Sequence, residues 1–183
     1  RRDMYSIASV FEDDGQQLWN ELENRCPTGC LRRTSIPHFS WQTAESYEVD
    51  PLKDELDNLC RNIRPFTFHT SGLGVFPKER KIIFLIIVKD RALLDLHEMI
   101  WENTFLYARQ PNMLYSPDNW VPHISLNLTE LDDNDFACAI RELTTKPLDF
   151  SFAVRNIGLL YLTMTSSGVE TMFDLSDPMA KKQ

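Results

Sequence analysis

No apolar stretch in this 183-residue sequence is longer than the seven residues from Ile82 to Val88, far short of the roughly 18 a membrane span needs. The first residues carry no apolar signal-like segment, and no low-complexity linker divides the chain. Positive charge is scarce. Nineteen Lys and Arg stand against 27 Asp and Glu, a net charge of −8, which argues against gripping long nucleic acid through an extended basic face. A nucleotide or short oligonucleotide in a small local site remains open. Cysteine is sparse too: Cys26, Cys30, Cys60 and Cys138 show neither the spacing nor the nearby histidine of a zinc pattern. Cys26 and Cys30 could close a small disulfide. Reduced thiols are the expectation, because the chain reads as a cytoplasmic protein with no membrane partner, and cytosolic disulfides are rare.

What is present is an ordinary core-forming composition, 43% hydrophobic and 25% charged, enough for one domain with room for two small lobes. Met4 to Phe11 reads as a strand. Asp14 is then placed to cap a helix reaching Arg25, with Leu18, Trp19 and Leu22 as its apolar stripe. Ile36 to Trp41 is a strand, and Asp50-Pro51 opens a helix that buries Leu52, Leu56 and Leu59. Strands over Phe66–Phe76 and Lys81–Val88 meet at a Pro77-Lys78 turn. Asp90 caps a helix through Trp101, a turn-rich loop covers 110–119, and a strand runs from Trp120 to Leu128. Asp132 or Asp133 caps a helix with Phe136, Ala137, Ile140 and Leu143. Strands over 148–154, 157–165 and 169–175 precede a polar tail.

The two halves repeat. Ile36-Pro37-His38-Phe39-Ser40 matches Val121-Pro122-His123-Ile124-Ser125, and each is followed by a capped helix and a proline-led strand. Leu73-Gly74-Val75-Phe76 then matches Ile157-Gly158-Leu159-Leu160. Such a repeat predicts two similar lobes about a pseudo-twofold axis, with the histidines facing each other across a cleft.

In a strand, residues i and i+2 share a face. His38 with Ser40, and His123 with Ser125, each present an imidazole beside a hydroxyl. Two facing pairs supply two groups that titrate near neutrality and two hydroxyl donors, the set phosphodiester cleavage asks for. A single Pro-His-x-Ser is weak evidence, since a lone strand histidine is more often packed or merely exposed. From the composition, about 0.03 chance matches to Pro-His-x-Ser/Thr are expected, and two matches at corresponding places of a repeat are far rarer.

The paired His-x-Ser motifs resemble those of the 2H phosphoesterase superfamily, and the sequence is most similar to its 2′-5′ RNA ligase-like branch, which includes RNA 2′,3′-cyclic phosphodiesterases. Pro65-Phe66-Thr67-Phe68-His69-Thr70-Ser71-Gly72-Leu73-Gly74-Val75-Phe76-Pro77 is similar to that branch's segment between its motifs. The resemblance implies an α+β fold of two antiparallel-sheet lobes with helices outside, His38 and His123 as catalytic pair, and Ser40 and Ser125 as phosphate binders. It also implies no metal or cofactor and a small nucleotide, cyclic nucleotide or short RNA substrate. A basic residue after Phe-Pro corresponds here to Arg80 or Lys81. Trp41, Tyr115, Trp120 and Tyr161 are candidates for stacking on a base, with core packing the competing reading for each. Tyr161 is preferred because its strand matches that of Phe76. His69 and His97 read as surface or packing residues. The expected activity is metal-independent phosphodiester hydrolysis. The alternatives are a non-catalytic nucleotide or RNA-end binder and a 2′-5′ RNA ligase. Oligomeric state is left open.

Overall fold

A computed structural model describes residues 4–11, 13–31, 36–77, 81–127, 131–162 and 167–176. In chain order the elements are β1 (Met4–Val10), α1 (Asp13–Arg25), β2 (His38–Tyr47), α2 (Val49–Cys60), β3 (Phe66–Phe76), β4 (Ile82–Ile87) and α3 (Arg91–Thr104). They continue with β5 (Ala108–Pro111), β6 (His123–Ser125), α4 (Asp133–Leu143), β7 (Ser151–Val154), β8 (Asn156–Leu162) and β9 (Ser167–Asp174). Two antiparallel sheets form, β5-β2-β1-β8-β9 and β6-β4-β3-β7, as the α+β reading requires. No described helix is long and apolar enough to cross a membrane.

The helices bury the stripes that their periodicity marks. Leu18 and Leu22 of α1, Leu52 and Leu56 of α2, Leu93 and Ile100 of α3, and Ala139 and Leu143 of α4 join one core with residues of both sheets. Each large apolar side chain so buried contributes about 1.5–3 kcal/mol. Two of the four expected caps hold. Asp90 accepts from the Leu93 N–H at 2.7 Å and Asp132 from the Asp135 N–H at 2.8 Å. The other two are corrected. Asp14 lies inside the first turn of α1, and its carboxylate accepts from Ala153 N–H at 2.9 Å, tying the helix to β7. Glu48, not Asp50, precedes α2 and makes no side-chain cap. The strand expected over 120–128 pairs only at His123–Ser125, apart from a bridge at Asn127. Lys78 and Arg80, residues 163–165 and the tail from 177 lie outside the described residues.

The strand registers of the two sheets correspond. In the first sheet Ala8 of β1 pairs with Ser40 on one side and Gly158 on the other. In the second, Phe84 of β4 pairs with Ser125 and Gly74. Ser40, Ala8 and Gly158 thus occupy the places of Ser125, Phe84 and Gly74. The matching axis runs beside the Phe68–Phe152 pair, where equivalent residues of β3 and β7 face each other with rings stacked at 5.3 Å and 22°. Each half also gives a strand away: β3 pairs with β4 of the second half, and β8 pairs with β1 of the first.

Candidate active site

Period-2 alternation decides which side chains of the two motif strands meet. On β2, Phe39 and Trp41 turn inward to 1% and 0% exposure while His38 and Ser40 stay half-buried. On β6, Ile124 is buried and His123 and Ser125 are half-buried. All four polar side chains line one cavity of about 140 Å³, with Ser6, Thr43, Tyr115 and Tyr161 also on its wall. No Lys, Arg, Asp or Glu is among its described lining residues.

Both imidazoles are held in the same way. His38 Nδ1 lies 2.8 Å from the Ile36 carbonyl, and His123 Nδ1 lies 2.7 Å from the Val121 carbonyl. A carbonyl only accepts, so each Nδ1 carries its proton and donates, which leaves Nε2 of the neutral ring as an acceptor. The proline between each carbonyl and its histidine (Pro37, Pro122) fixes the local backbone. Burial pushes both imidazoles below the ordinary histidine value, opposed in part by those carbonyls. The charge of His38 lowers His123 further, so the two titrate as a pair that favours at most one proton.

The hydroxyls are organised unequally. Ser6 Oγ donates to Ser40 Oγ at 2.7 Å. Tyr115 also hydrogen-bonds Ser40, and burial pushes its phenol up to about 12, so it stays protonated. Trp120 Nε1 donates to the Ser40 carbonyl at 3.0 Å, and His97 stacks on Trp120 at 3.8 Å. Against this, His123 packs against Phe76 and Phe84, whose rings stack on each other at 4.3 Å and each lie 5.0 Å from the imidazole. A β-bulge adds Thr43 to the wall. Ile7 pairs with Gln42 and Ala8 with Ser40, so Trp41 is the extra residue and the alternation resets. The Thr43 hydroxyl, in a residue 2% exposed, has no hydrogen-bond partner. Sequence reasoning missed Ser6 and Thr43. Only long-range pairing of β1 with β2 reveals the first, and only the bulge reveals the second. Two proton carriers and several hydroxyl donors around one cavity can bind a phosphoryl group and move protons on either side of it.

The 2′-5′ RNA ligase superfamily description matches residues 11–163 of the sequence. The chain belongs to that superfamily. Relatives of this 2′-5′ RNA ligase-like protein include a phosphoesterase-named protein of Bacillus cereus. It is 23% identical over 128 residues, covering 68% of this chain and 70% of the relative. Escherichia coli LigT, solved with 3′-AMP, superposes with a TM-score of 0.65 at 17% identity, covering 97% of this chain and 100% of LigT. Kluyveromyces marxianus Usb1, solved with uridine monophosphate, gives 0.53 at 12% identity over 95% and 98% of the two chains. Both likenesses establish the shared fold.

In this superfamily member the remaining candidates separate. Tyr161 lines the cavity. Trp41 is corrected to a core residue: it is fully buried, donates from Nε1 to Ser9 Oγ at 2.9 Å and stacks near Trp120. Lys81 is likewise corrected. Its ammonium pairs with Asp133 at the acidic start of α4 and lies 5.3 Å over the Phe136 ring, and it is not among the residues that line the cavity. Arg80 lies outside the described residues. His97 is buried, its Nε2 3.0 Å from the Trp41 carbonyl, and His69 is exposed beside Ser151 at 3.1 Å.

Proposed function

We propose that the protein hydrolyses a phosphodiester of a small ribonucleotide or RNA end, with a 2′,3′-cyclic phosphate, a 2′-5′ linkage or a related cyclic nucleotide as substrate. The reading is carried by one observation: two histidines in equivalent register, each with Nδ1–H committed to a backbone carbonyl, share one cavity with Ser40 and Ser125. Superfamily membership and relatives solved with 3′-AMP and uridine monophosphate support the substrate class.

Catalysis starts from the pair carrying one proton. The neutral imidazole takes a proton through Nε2 from water as its oxygen attacks phosphorus. The imidazolium gives its proton to the departing ribose oxygen as that P–O bond breaks. Ser40 and Ser125 donate to the non-bridging oxygens, whose charge rises in the transition state. The proton that Ser6 gives Ser40 sharpens the Ser40 donor. The imidazolium answers the phosphate charge that no lysine or arginine meets among the described lining residues. Tyr115 and Tyr161 on the cavity wall support stacking on the base of such a substrate.

The test is turnover in EDTA of 2′,3′-cyclic mononucleotides, 2′-5′ oligoadenylate and cyclic dinucleotides, resolved by chromatography. Wild type is expected to cleave at least one class and the double His38→Ala/His123→Ala variant none. Equal turnover by the two proteins overturns the proposal.

A further inference from the structure

Outside the histidine cavity, the described residues gather a second set of chemistry-bearing side chains. The Sγ atoms of Cys26 and Cys30 and a carboxylate oxygen of Glu142 all lie within 4.8 Å of one another. Cys138 stands beside them: it hydrogen-bonds the Cys30 thiol, and its Sγ is 3.2 Å from Thr28 Oγ1. None of the four lines the histidine cavity.

Local structure explains the gathering. The Gly29 N–H donates to the Cys26 carbonyl at 3.0 Å, and Gly29 takes φ +72°, a conformation glycine adopts without penalty. That turn folds Cys30 back beside Cys26. Cys138 and Glu142 are four residues apart on α4 and therefore share a face. Arg25 pins the two segments together by donating to the carbonyls of Lys146 at 3.1 Å and Pro147 at 2.9 Å.

We propose that Cys26, Cys30, Cys138 and Glu142 form a tetrahedral site for a thiophilic divalent cation, zinc above all, that clamps the turn after α1 to the last turns of α4. Three sulfurs and one carboxylate oxygen are a donor set suited to zinc, with Zn–S near about 2.3 Å and Zn–O near about 2.1 Å. Tetrahedral ligands at those distances stand about 3.5–3.8 Å apart, so the Cys26, Cys30 and Glu142 donors, all within 4.8 Å of one another, close by about 1 Å at most, and Cys138 turns in from beside them. The metal-free contacts hold the carboxylate in readiness. Glu142 accepts from Thr28 Oγ1 at 3.1 and 3.2 Å and from Cys30 Sγ at 3.5 Å. Without a cation Cys26 and Cys30 are neutral thiols, because burial first and neighbouring groups second push Cys26 up to about 11 and Cys30 up to about 12. A bound cation reverses that preference and expels the thiol protons.

The full chain, purified without chelator, is assayed for metal, stripped under reducing conditions and titrated with zinc, then with cobalt(II) as a spectroscopic probe. Expected are one metal per chain, release of about three protons per zinc, thiolate-to-cobalt charge-transfer absorption and a higher thermal midpoint with zinc. Cys26→Ser, Cys30→Ser, Cys138→Ser and Glu142→Gln should each weaken zinc binding at least about tenfold. His38→Ala/His123→Ala should bind it as wild type does. Cys138 and Glu142 are only half-buried, so their variants should keep the wild-type circular dichroism, and the cobalt spectrum of wild type reads thiolate ligation without any variant. Three outcomes overturn the proposal: no zinc or cobalt bound, a Cys26–Cys30 disulfide in the native protein, or zinc that is lost with the histidines and kept without the cysteines.

Discussion

The two half-sites share a register and differ in their surroundings. His38 and Ser40 ride on the ten-residue β2, paired there by β1 and by β5 from Ala44 onward, with the hydroxyls of Ser6 and Tyr115 hydrogen-bonded to Ser40. His123 and Ser125 ride on the three-residue β6 at the edge of its sheet. There the imidazole lies against the stacked Phe76 and Phe84 rings, and among the described residues no side chain hydrogen-bonds the Ser125 hydroxyl. The places of Phe84 and Phe76 are taken in the first half by Ala8 and Leu160. The two half-sites thus share the imidazole and the backbone carbonyl that orients it, and differ in support, a hydroxyl network on one side and an aromatic wall on the other.

The sharpest way to break the comparison is to remove each imidazole alone. His38→Ala and His123→Ala should each lower kcat/KM by about 10³, and a variant within about tenfold of wild type would end the equivalence of the halves. The pH profile sharpens it further. Both imidazoles are held below the ordinary value of about 6.5, so the singly protonated pair is most abundant on the acid side. The optimum of kcat/KM should therefore fall below about pH 6.5, and an optimum above pH 7 contradicts it.

Stability should show the buried His97 under the first half-site. Its value is lowered to about 4, chiefly by burial. The unfolded chain takes up a proton there below about 6.5 and the folded one does not, so stability is full above that pH and is lost progressively down to about pH 4. The loss is roughly 3 kcal/mol, and His97→Gln should flatten the urea-unfolding curve over this window. Equivalent glycines separate the halves next. A Cβ on Gly158 would meet the Thr171 carbonyl oxygen at 2.2 Å, whereas on Gly74 it would meet the Phe84 ring at 2.2 Å. Backbone yields less than a side chain. Gly158→Ala should cost about 3 kcal/mol and Gly74→Ala about 1 kcal/mol in chemical denaturation, with equal costs counting against the asymmetry. Smallest is the hydroxyl difference: Ser40→Ala should cut turnover about thirtyfold and Ser125→Ala about tenfold, since only the first strands two neighbouring hydroxyls.

The paired motifs were legible because they depend on local geometry. Two residues apart on a strand means one face, and the same rule, applied to Trp41 at an odd step from Ser40, already turns its ring away from the cavity. Helix caps at Asp90 and Asp132 were legible for the same reason, while Asp14 was drawn off by the Ala153 amide 139 residues away. Long-range pairing carried what the sequence hid. The bulge at Trp41 brings in Thr43, β1 supplies Ser6, and the acidic start of α4 claims Lys81. The Cys138–Glu142 face of α4 met the Cys26 turn across more than a hundred residues, beyond any spacing rule.

The exchange of strands between the halves has a consequence for synthesis. Met4 pairs with Leu162 and Ala8 with Gly158, so β1 waits for partners made at least 150 residues later. Until β8 has left the ribosome, β1 keeps one edge unpaired. An edge that long in waiting can recruit another chain, and the first half released alone should need a holding chaperone more than the finished protein does.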